Sequence, residues 1–316
     1  MDNNFIKPAA LALKNGNLVA FPTETVYGLG ADAQNKDAVA KIYQAKGRPA
    51  DHPLIVHLSS INHLDKWTRD IPDYAVLLAR AFWPGPMTLI LPRTELAKNF
   101  ITGGQNNVGI RIPSHPVALT LLKEFESQGG LGVAAPSANR FGALSPTTAK
   151  DVQEELSEYL EPTDFILDGG PSVVGVESTI INCTQNLPTV LRPGAITLLM
   201  INNLLGISVM SGPQNLGNLI KAPGLLESHY APSAKVFLTG MPKLGDGFIA
   251  LAAIETPEGS IRLASPVTNK DYAQILYQAL RLADSKKIGR VFVIPPVGLD
   301  IAVAINDRLK RCAFKG

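Results

Sequence analysis

Residues 17–30, Asn17-Leu-Val-Ala-Phe-Pro-Thr-Glu-Thr-Val-Tyr-Gly-Leu-Gly30, decide how the chain is read. Leu18 to Phe21 is a short apolar run closed by Pro22, the pattern of a buried strand. Thr23, Glu24 and Thr25 follow at once, placing polar groups at a strand end, where sites collect on a rigid sheet. Upstream, Pro8, the helix-favouring Ala9 to Lys14 and the stop at Gly16 predict a helix. Downstream the alternation repeats. A helical period through Ala38, Val39, Ile42 and Tyr43 precedes a strand at Leu54 to Leu58. A helix at Tyr74 to Phe82 ends at Pro84-Gly85-Pro86, where proline forbids continuation. Strands at Met87 to Leu91 and Val108 to Ile112, a helix at Pro116 to Phe125 and an apolar run at Leu131 to Ala135 come next. Ser145-Pro146-Thr147 predicts an N-cap with proline at the first helical position, opening a helix through Leu156. Short strands follow at Phe165 to Leu167, Ser178 to Asn182 and Thr189 to Leu191. Interleaved strands and helices make the class α/β or mixed α+β.

Between Gly206 and Pro232 the pattern dissolves into Gly, Pro, Ser and Asn, as a linker does. Beyond it, strands are expected near Ala234 to Leu238, Phe248 to Ala252, Ser260 to Leu263 and Gly289 to Ile294. Amphipathic helices at Lys270 to Ser285 and Ile301 to Arg311 complete a small parallel unit. The expected organisation is a domain over residues 1–205, a linker over 206–232 and a smaller domain over 233–316. A length of 316 residues fits two domains without covalent staples. The two cysteines, Cys183 and Cys312, exclude a disulfide framework and a Cys-type zinc site. Apolar runs such as Gly247 to Ile254 fall short of the roughly 20 residues that span a bilayer. Met1 to Lys7 lacks the basic and apolar regions of a secretory signal, so no membrane association and a cytoplasmic location are expected.

The net charge of +2 conceals an asymmetry. Residues 1–205 hold 16 Lys/Arg against 19 Asp/Glu, whereas the tail from Arg281 holds 8 against 3. That tail is either a solvated basic face or a surface for an anionic partner such as RNA. Phosphate loops of the Gly-x4-Gly-Lys type, Gly-x-Gly-x-x-Gly, His-Glu-x-x-His and Gly-x-Ser-x-Gly are all missing from the sequence. The polar residues that stand out lie at strand ends of the first domain. Lys46, Arg48, Arg111 and Arg192 occupy such places although that domain is net acidic. Arginine forks match carboxylates and phosphates and lysine supplies a mobile point charge, so one or two anionic substrates are expected. Taken singly, Ser145 reads as a helix cap and His57 as a hydrogen-bonded core residue.

Seven blocks then resemble one family in order: Phe21-Pro-Thr-Glu-Thr-Val-Tyr-Gly-Leu-Gly30; Ala45-Lys-Gly-Arg-Pro49 with Pro53-Leu-Ile-Val-His57; Trp83-Pro-Gly-Pro-Met-Thr-Leu89; Val108-Gly-Ile-Arg-Ile-Pro113; Ala135-Pro-Ser-Ala-Asn139 with Ser145-Pro-Thr147; Gly175-Val-Glu-Ser-Thr-Ile180; and Leu191-Arg-Pro-Gly-Ala195. They resemble the YrdC-domain family, and the continuation through Ala222-Pro-Gly224 and Ser228-His-Tyr-Ala-Pro232 resembles its long, two-domain form. The resemblance implies a twisted mixed sheet with flanking helices, joined to a small Rossmann-like α/β domain.

It also implies a reaction: L-threonine, bicarbonate or CO2, and ATP give threonylcarbamoyl-AMP and pyrophosphate. A separate transferase complex then uses the product to modify tRNA. Mg2+ is expected with ATP, and no resident metal. By motif, L-threonine is expected against Thr25, His57, Arg111, Ala135 and Ser178, with Arg111 as the carboxylate fork. ATP is expected against Lys46, Arg48, His52, Asn107, Ser137, Asn139, Ser145 and Arg192, with Tyr230 of the linker folding over it. Lys46, Arg48 and Arg192 are the expected catalytic groups. His52 stands where family members often have Asn, and Asn107 where Thr is more usual. The 27-residue linker, about 25–30 Å long if flexible, is long enough to lid the pocket. The alternative is a non-catalytic, translation-associated module with weak RNA binding.

Overall fold

The computed structural model describes residues 5–212, 221–222 and 231–313. The first unit is built on β1 (Val19–Phe21), β2 (Gly28–Asp32), β3 (Ile55–His57), β4 (Met87–Pro92), β5 (Asn107–Arg111), β6 (Val133–Ala134), β7 (Phe165–Ile166), β8 (Thr179–Asn182), β9 (Thr189–Arg192) and β10 (Met210–Ser211). They form one mixed sheet in the order β10-β9-β8-β4-β5-β3-β6-β2-β1-β7. The expected strands are present, and β2 is an addition. Its Gly-Leu-Gly-Ala-Asp sequence carries no strand period, yet all five residues are buried between β1 and β6. β10 adds a two-residue parallel edge beside β9, inside the stretch expected to be linker. Pairing with a sheet already in place supplies what local propensity does not.

Register determines which side chains meet. β3 runs parallel to β5 with His57 opposite Arg111, and antiparallel to β6 with His57 opposite Val133. β4 runs antiparallel to β5 with Thr88 opposite Arg111, and parallel to β8 with Thr88 opposite Ile180. An isolated bridge joins Gly28 to Ser137. The ends carrying His57, Arg111, Ser178 and the Ala135–Asn139 turn therefore converge. The core beneath is apolar, with Leu29, Val56, Leu89, Ile110 and Ile181 all buried and the helix Lys36–Lys46 laid across it.

One expectation is corrected. Ser145 caps no helix. The helix runs Ala149–Leu156 and is capped by Thr148, whose hydroxyl accepts from Asp151 N while Asp151 accepts from Thr148 N. The capping box displaces the Ser-Pro start because it satisfies two orphan donors reciprocally.

The second unit is a sheet of β11 (Lys235–Phe237), β12 (Gly247–Ile249), β13 (Ile261–Ala264) and β14 (Arg290–Val293), ordered β11-β14-β12-β13. Every pairing in it is parallel, as the strand–helix rhythm predicted. The helices Asn269–Ser285 and Ala302–Ala313 pack on it and reach across to the first unit. Val26, Leu144 and Val176 of the first unit share one apolar cluster with Tyr272, Leu276, Tyr277 and Ile305 of the second. Arg281 donates to Glu155 at 2.9 Å and to the Leu144 carbonyl at 2.6 Å. The basic tail is thus partly absorbed internally: Arg281 pairs with Glu155, Arg290 with Asp246, Arg308 with Glu177 and Asp307, and Arg311 with Asp307. Among the described residues no helix is long and apolar enough to cross a membrane.

Candidate active site

A cavity of about 520 Å³, counting its open mouth, lies where those strand ends converge. Its walls include Thr25, Arg48, His57, Arg111, Ala135, Ser137, Glu177, Ser178 and Arg192. All five residues expected at L-threonine are in this set, together with Arg48, Ser137 and Arg192 from the nucleotide set.

The turn after β1 is held by its own polar groups. Thr23 Oγ1 donates to the Val26 carbonyl at 2.6 Å, and Ser172 Oγ donates to the Thr23 carbonyl at 3.0 Å. Glu24 projects from this turn onto Arg111, accepting from Nη2 at 2.7 Å, and also accepts from Ser114 N at 3.1 Å. Both partners of the pair are buried. Glu24 thereby orients the guanidinium at one edge. Arg111 Nε is buried without a hydrogen-bond partner among the described residues, as is Nδ1 of the adjacent His57. Buried donors and acceptors left open in this way are costly unless a ligand meets them. Burial, reinforced by Arg111, pushes the His57 imidazole down to about 3, so it stays neutral near pH 7.

On the opposite wall, Lys46 ends the helix Lys36–Lys46, and Gly47, at φ +61°, turns the chain so that Arg48 also faces inward. Lys46 Nζ donates to the Ser137 carbonyl at 2.5 Å and to the Asn139 carbonyl. The lysine is buried behind the Ser137 turn rather than on the cavity surface. Burial lowers its ammonium well below the usual lysine range, and Arg48 adds to the effect. Arg48 Nη2 donates to the Pro53 carbonyl at 2.9 Å. Asn139 Nδ2 donates to the Arg140 and Ala143 carbonyls at 2.7 and 2.9 Å, while its buried Oδ1 has no partner among the described residues.

From the third side, Ser178 and Thr88 hydroxyls lie 2.8 Å apart. Arg192, closing β9, donates to the Ser178 carbonyl from Nε at 3.1 Å and from Nη2 at 2.9 Å. Glu177 accepts from Ser145 Oγ at 2.5 Å, which is what Ser145 does in place of capping.

Two expected nucleotide residues lie elsewhere. Asn107 sits four residues before Arg111 on β5, about 13 Å away at ~3.3 Å per residue. It lines a second, smaller cleft with Gln105 and Lys221. His52 lies in the loop before β3, its ring 5.4 Å from that of Phe141. Tyr230 lies outside the described residues. Glu24 and Glu177 are visible in the motifs, but nothing in the sequence marks them as partners of arginines. Arg308 and Tyr277, which also bind Glu177, carry no sequence signal at all. The cavity thus presents Arg111 beside a neutral imidazole, Arg48 on a second wall and Arg192 on a third, with Lys46 one layer behind the Ser137 turn. A carboxylate and a chain of phosphates fit that division.

Comparison with known proteins is consistent with this geometry. The Sua5/YciO/YrdC profile, described as telomere recombination, matches residues 11–194. The profile described as threonylcarbamoyl-AMP synthase, C-terminal domain, matches residues 196–313. The threonylcarbamoyl-AMP synthase of Bacillus subtilis (strain 168) is 40% identical over 331 aligned positions, covering 98% of this chain and 92% of that protein. That of Pyrococcus abyssi is 45% identical over 241 residues, 75% of this chain and 68% of that protein. The crystal structure of P. abyssi Sua5 complexed with L-threonine superposes with a TM-score of 0.88 at 36% identity, covering 99% of this chain and 95% of that one.

Proposed function

The chain belongs to the Sua5/YciO/YrdC family of threonylcarbamoyl-AMP synthases, and from that premise we propose how its cavity performs the synthesis. L-Threonine binds with its carboxylate on Arg111, and its amine takes up CO2, releasing a proton to give a carbamate. A carbamate oxygen attacks the α-phosphorus of ATP. The bond from that phosphorus to the bridging oxygen breaks, pyrophosphate leaves, and threonylcarbamoyl-AMP remains. With bicarbonate as the carbon source, the carboxylation step releases water.

Both reactants are anions, so the chain's main contribution is to hold negative groups together and to stabilise the charge that spreads over the phosphoryl oxygens. Arg192, Arg48 and Ser137 serve the nucleotide, with Lys46 and Asn139 holding the Ser137 turn from behind. His57 offers threonine a hydrogen-bonding nitrogen without adding charge, alongside Thr25, Ala135 and Ser178. No protein nucleophile is needed, which agrees with the absence of the Ser-, Cys- and His-based motifs. The hydroxyls of Thr25, Ser137 and Ser178 are hard oxygen donors of the kind Mg2+ accepts. Among the described residues no group of three or more His, Cys, Asp or Glu is gathered for a metal. Mg2+ arriving on ATP keeps most of its ligands from phosphate and water, and it would neutralise charge on the leaving pyrophosphate. The product passes to a separate transferase complex acting on tRNA in the cytoplasm.

The observation that carries this reading is the convergence on one cavity of three arginines, Arg111 and Arg192 from strand ends and Arg48 from the turn after the helix Lys36–Lys46, with Lys46 buried behind that wall. The competing RNA-binding reading loses part of its support because Arg281, Arg290, Arg308 and Arg311 of the basic tail meet carboxylates, while Lys286, Lys287 and Lys310 stay exposed. The test is pyrophosphate release with each substrate omitted in turn. Release that requires both threonine and bicarbonate supports the proposal. Release independent of threonine points to another carbamoyl acceptor, and no release together with salt-sensitive RNA binding supports the module.

A further inference from the structure

Glu177 is out of place in a cavity that gathers anions. It lines the wall next to Ser178, buried to 5% exposure, and its charge opposes any phosphate brought there. The second unit answers that charge. Arg308, from the helix Ala302–Ala313, donates from Nε to Glu177 Oε2 at 2.7 Å, and its side chain has no exposed surface. Tyr277, from the helix Asn269–Ser285, donates its hydroxyl to Oε1 and Oε2 at 3.1 Å each. Ser145 supplies a further donor to Oε1. Arg308 Nη2 also reaches the Glu177 carbonyl at 3.4 Å, and Nη1 donates to Asp307 Oδ2 at 2.6 Å.

We infer that Arg308 and Tyr277 are positioning residues for the synthesis: they hold and neutralise Glu177, so that Arg192 serves the phosphates of ATP instead of the neighbouring carboxylate. Arg192 donates to Ser178 and is also close enough for its charge to act on Glu177. Without Arg308, a buried carboxylate would stand uncompensated beside it, and such charges recruit whatever cation can reach them. The second domain therefore completes the electrostatics of a cavity to which, among the described residues, it contributes no wall residue. Part of the basic tail acquires a role in the same way. Arg308 and Arg311 share Asp307 on the same helix, which orients the Arg308 guanidinium.

This inference rests on the reading of the cavity as the ATP and threonine site. Its test is ATP affinity by calorimetry, with KM for ATP and kcat from pyrophosphate release, in the full-length protein. Arg308→Met is expected to weaken ATP binding and raise KM for ATP about tenfold or more, because an unpaired charge now faces the phosphates. Arg308→Met combined with Glu177→Gln removes both charges and is expected to return ATP affinity to within about threefold of wild type, the residue of lost hydrogen bonding. A role confined to holding the domains together predicts that KM for threonine and thermal stability change in step with ATP affinity, whereas the electrostatic role raises KM for ATP with KM for threonine unchanged. Arg308→Met with unchanged ATP affinity, or a double variant no better than the single one, overturns the inference. A wild-type protein that binds no ATP overturns the reading of the site and the inference with it. If Arg308→Met does not fold, Tyr277→Phe carries the same test, with a smaller expected rise that Glu177→Gln again reverses.

Discussion

Gly175 opens the Gly-Val-Glu-Ser run that delivers Glu177 and Ser178 to the cavity, and it also lies at the seam between the two units. Its φ is +80°, and a Cβ there would stand 2.3 Å from the Ala273 carbonyl oxygen, 2.4 Å from Gln274 Cα and 2.8 Å from the Ala273 carbonyl carbon. All three atoms belong to the backbone of the helix Asn269–Ser285, so no side chain can swing aside. Gly175→Ala therefore combines left-handed strain with overpacking against a rigid element, together about 2–5 kcal/mol. The conservative way to relieve the clash is for the helix to move off the first unit. Trp67 and Trp83, the chain's two tryptophans, both lie in the first unit, so their fluorescence reports that unit while circular dichroism reports both. In denaturant, the variant is expected to lose that stability and to show separated fluorescence and dichroism transitions, with the second unit unfolding first. Gly129→Ala, at φ +82° with nothing within 4 Å, serves as control and isolates the backbone term, about 1–2 kcal/mol. A Gly175→Ala protein within about 0.5 kcal/mol of wild type, with coincident transitions, would refute the packing argument.

Arg192→Ala removes a buried guanidinium assigned to the transferring phosphoryl group. It should reduce kcat/KM by about 100-fold or more, corresponding to 2–3 kcal/mol of transition-state stabilisation; a loss under fivefold in a folded variant contradicts that assignment. Glu177 carries a pH signature. Burial works to raise its pKa, but Arg308, Arg192 and the donors around it bring it from 4.5 to about 2. Because the folded-state value is depressed, the stabilisation is fully present above pH 4.5 and is lost as pH falls from there toward 2. Acid unfolding of wild type should therefore steepen in that window. The Glu177→Gln variant should lack that component, and identical acid profiles would sink the claim.

The strand ends were legible because the side chains that define them are local. Pro22 closes β1, and Arg111 interrupts an apolar run with a charge. The motif at 135–139 follows a strand whose pairing needs no long-range information beyond burial. β2 escaped because Gly28 and Gly30 erase its period; its evidence lies in the strands on either side. Ser145 was misread for a related reason. Ser-Pro-Thr scores as a helix start, but Thr148 and Asp151 form the reciprocal cap, leaving the Ser145 hydroxyl for Glu177. The four cations gathered as expected in three cases, while Lys46 stayed one layer back, under the Ser137 turn. What the sequence could not display was the sign of compensation. Glu24 for Arg111 is separated by 87 positions and Glu177 for Arg308 by 131, so neither pair could be found without the fold. The basic tail stayed open between a solvated face and a partner surface for the same reason: a charge count does not say which charges are already paired.

One cavity is proposed to join threonine, a one-carbon unit and the α-phosphate of ATP in a single product. The most direct measurement is NMR of a reaction run with L-threonine, ATP and 13C-bicarbonate, observed at carbon and phosphorus. A carbonyl 13C signal coupled to the 31P of an adenylate is expected, appearing only when threonine is present and lost in Arg192→Ala. An adenylate that forms without threonine, or labelled carbon that never couples to phosphorus while ATP is consumed, would contradict it.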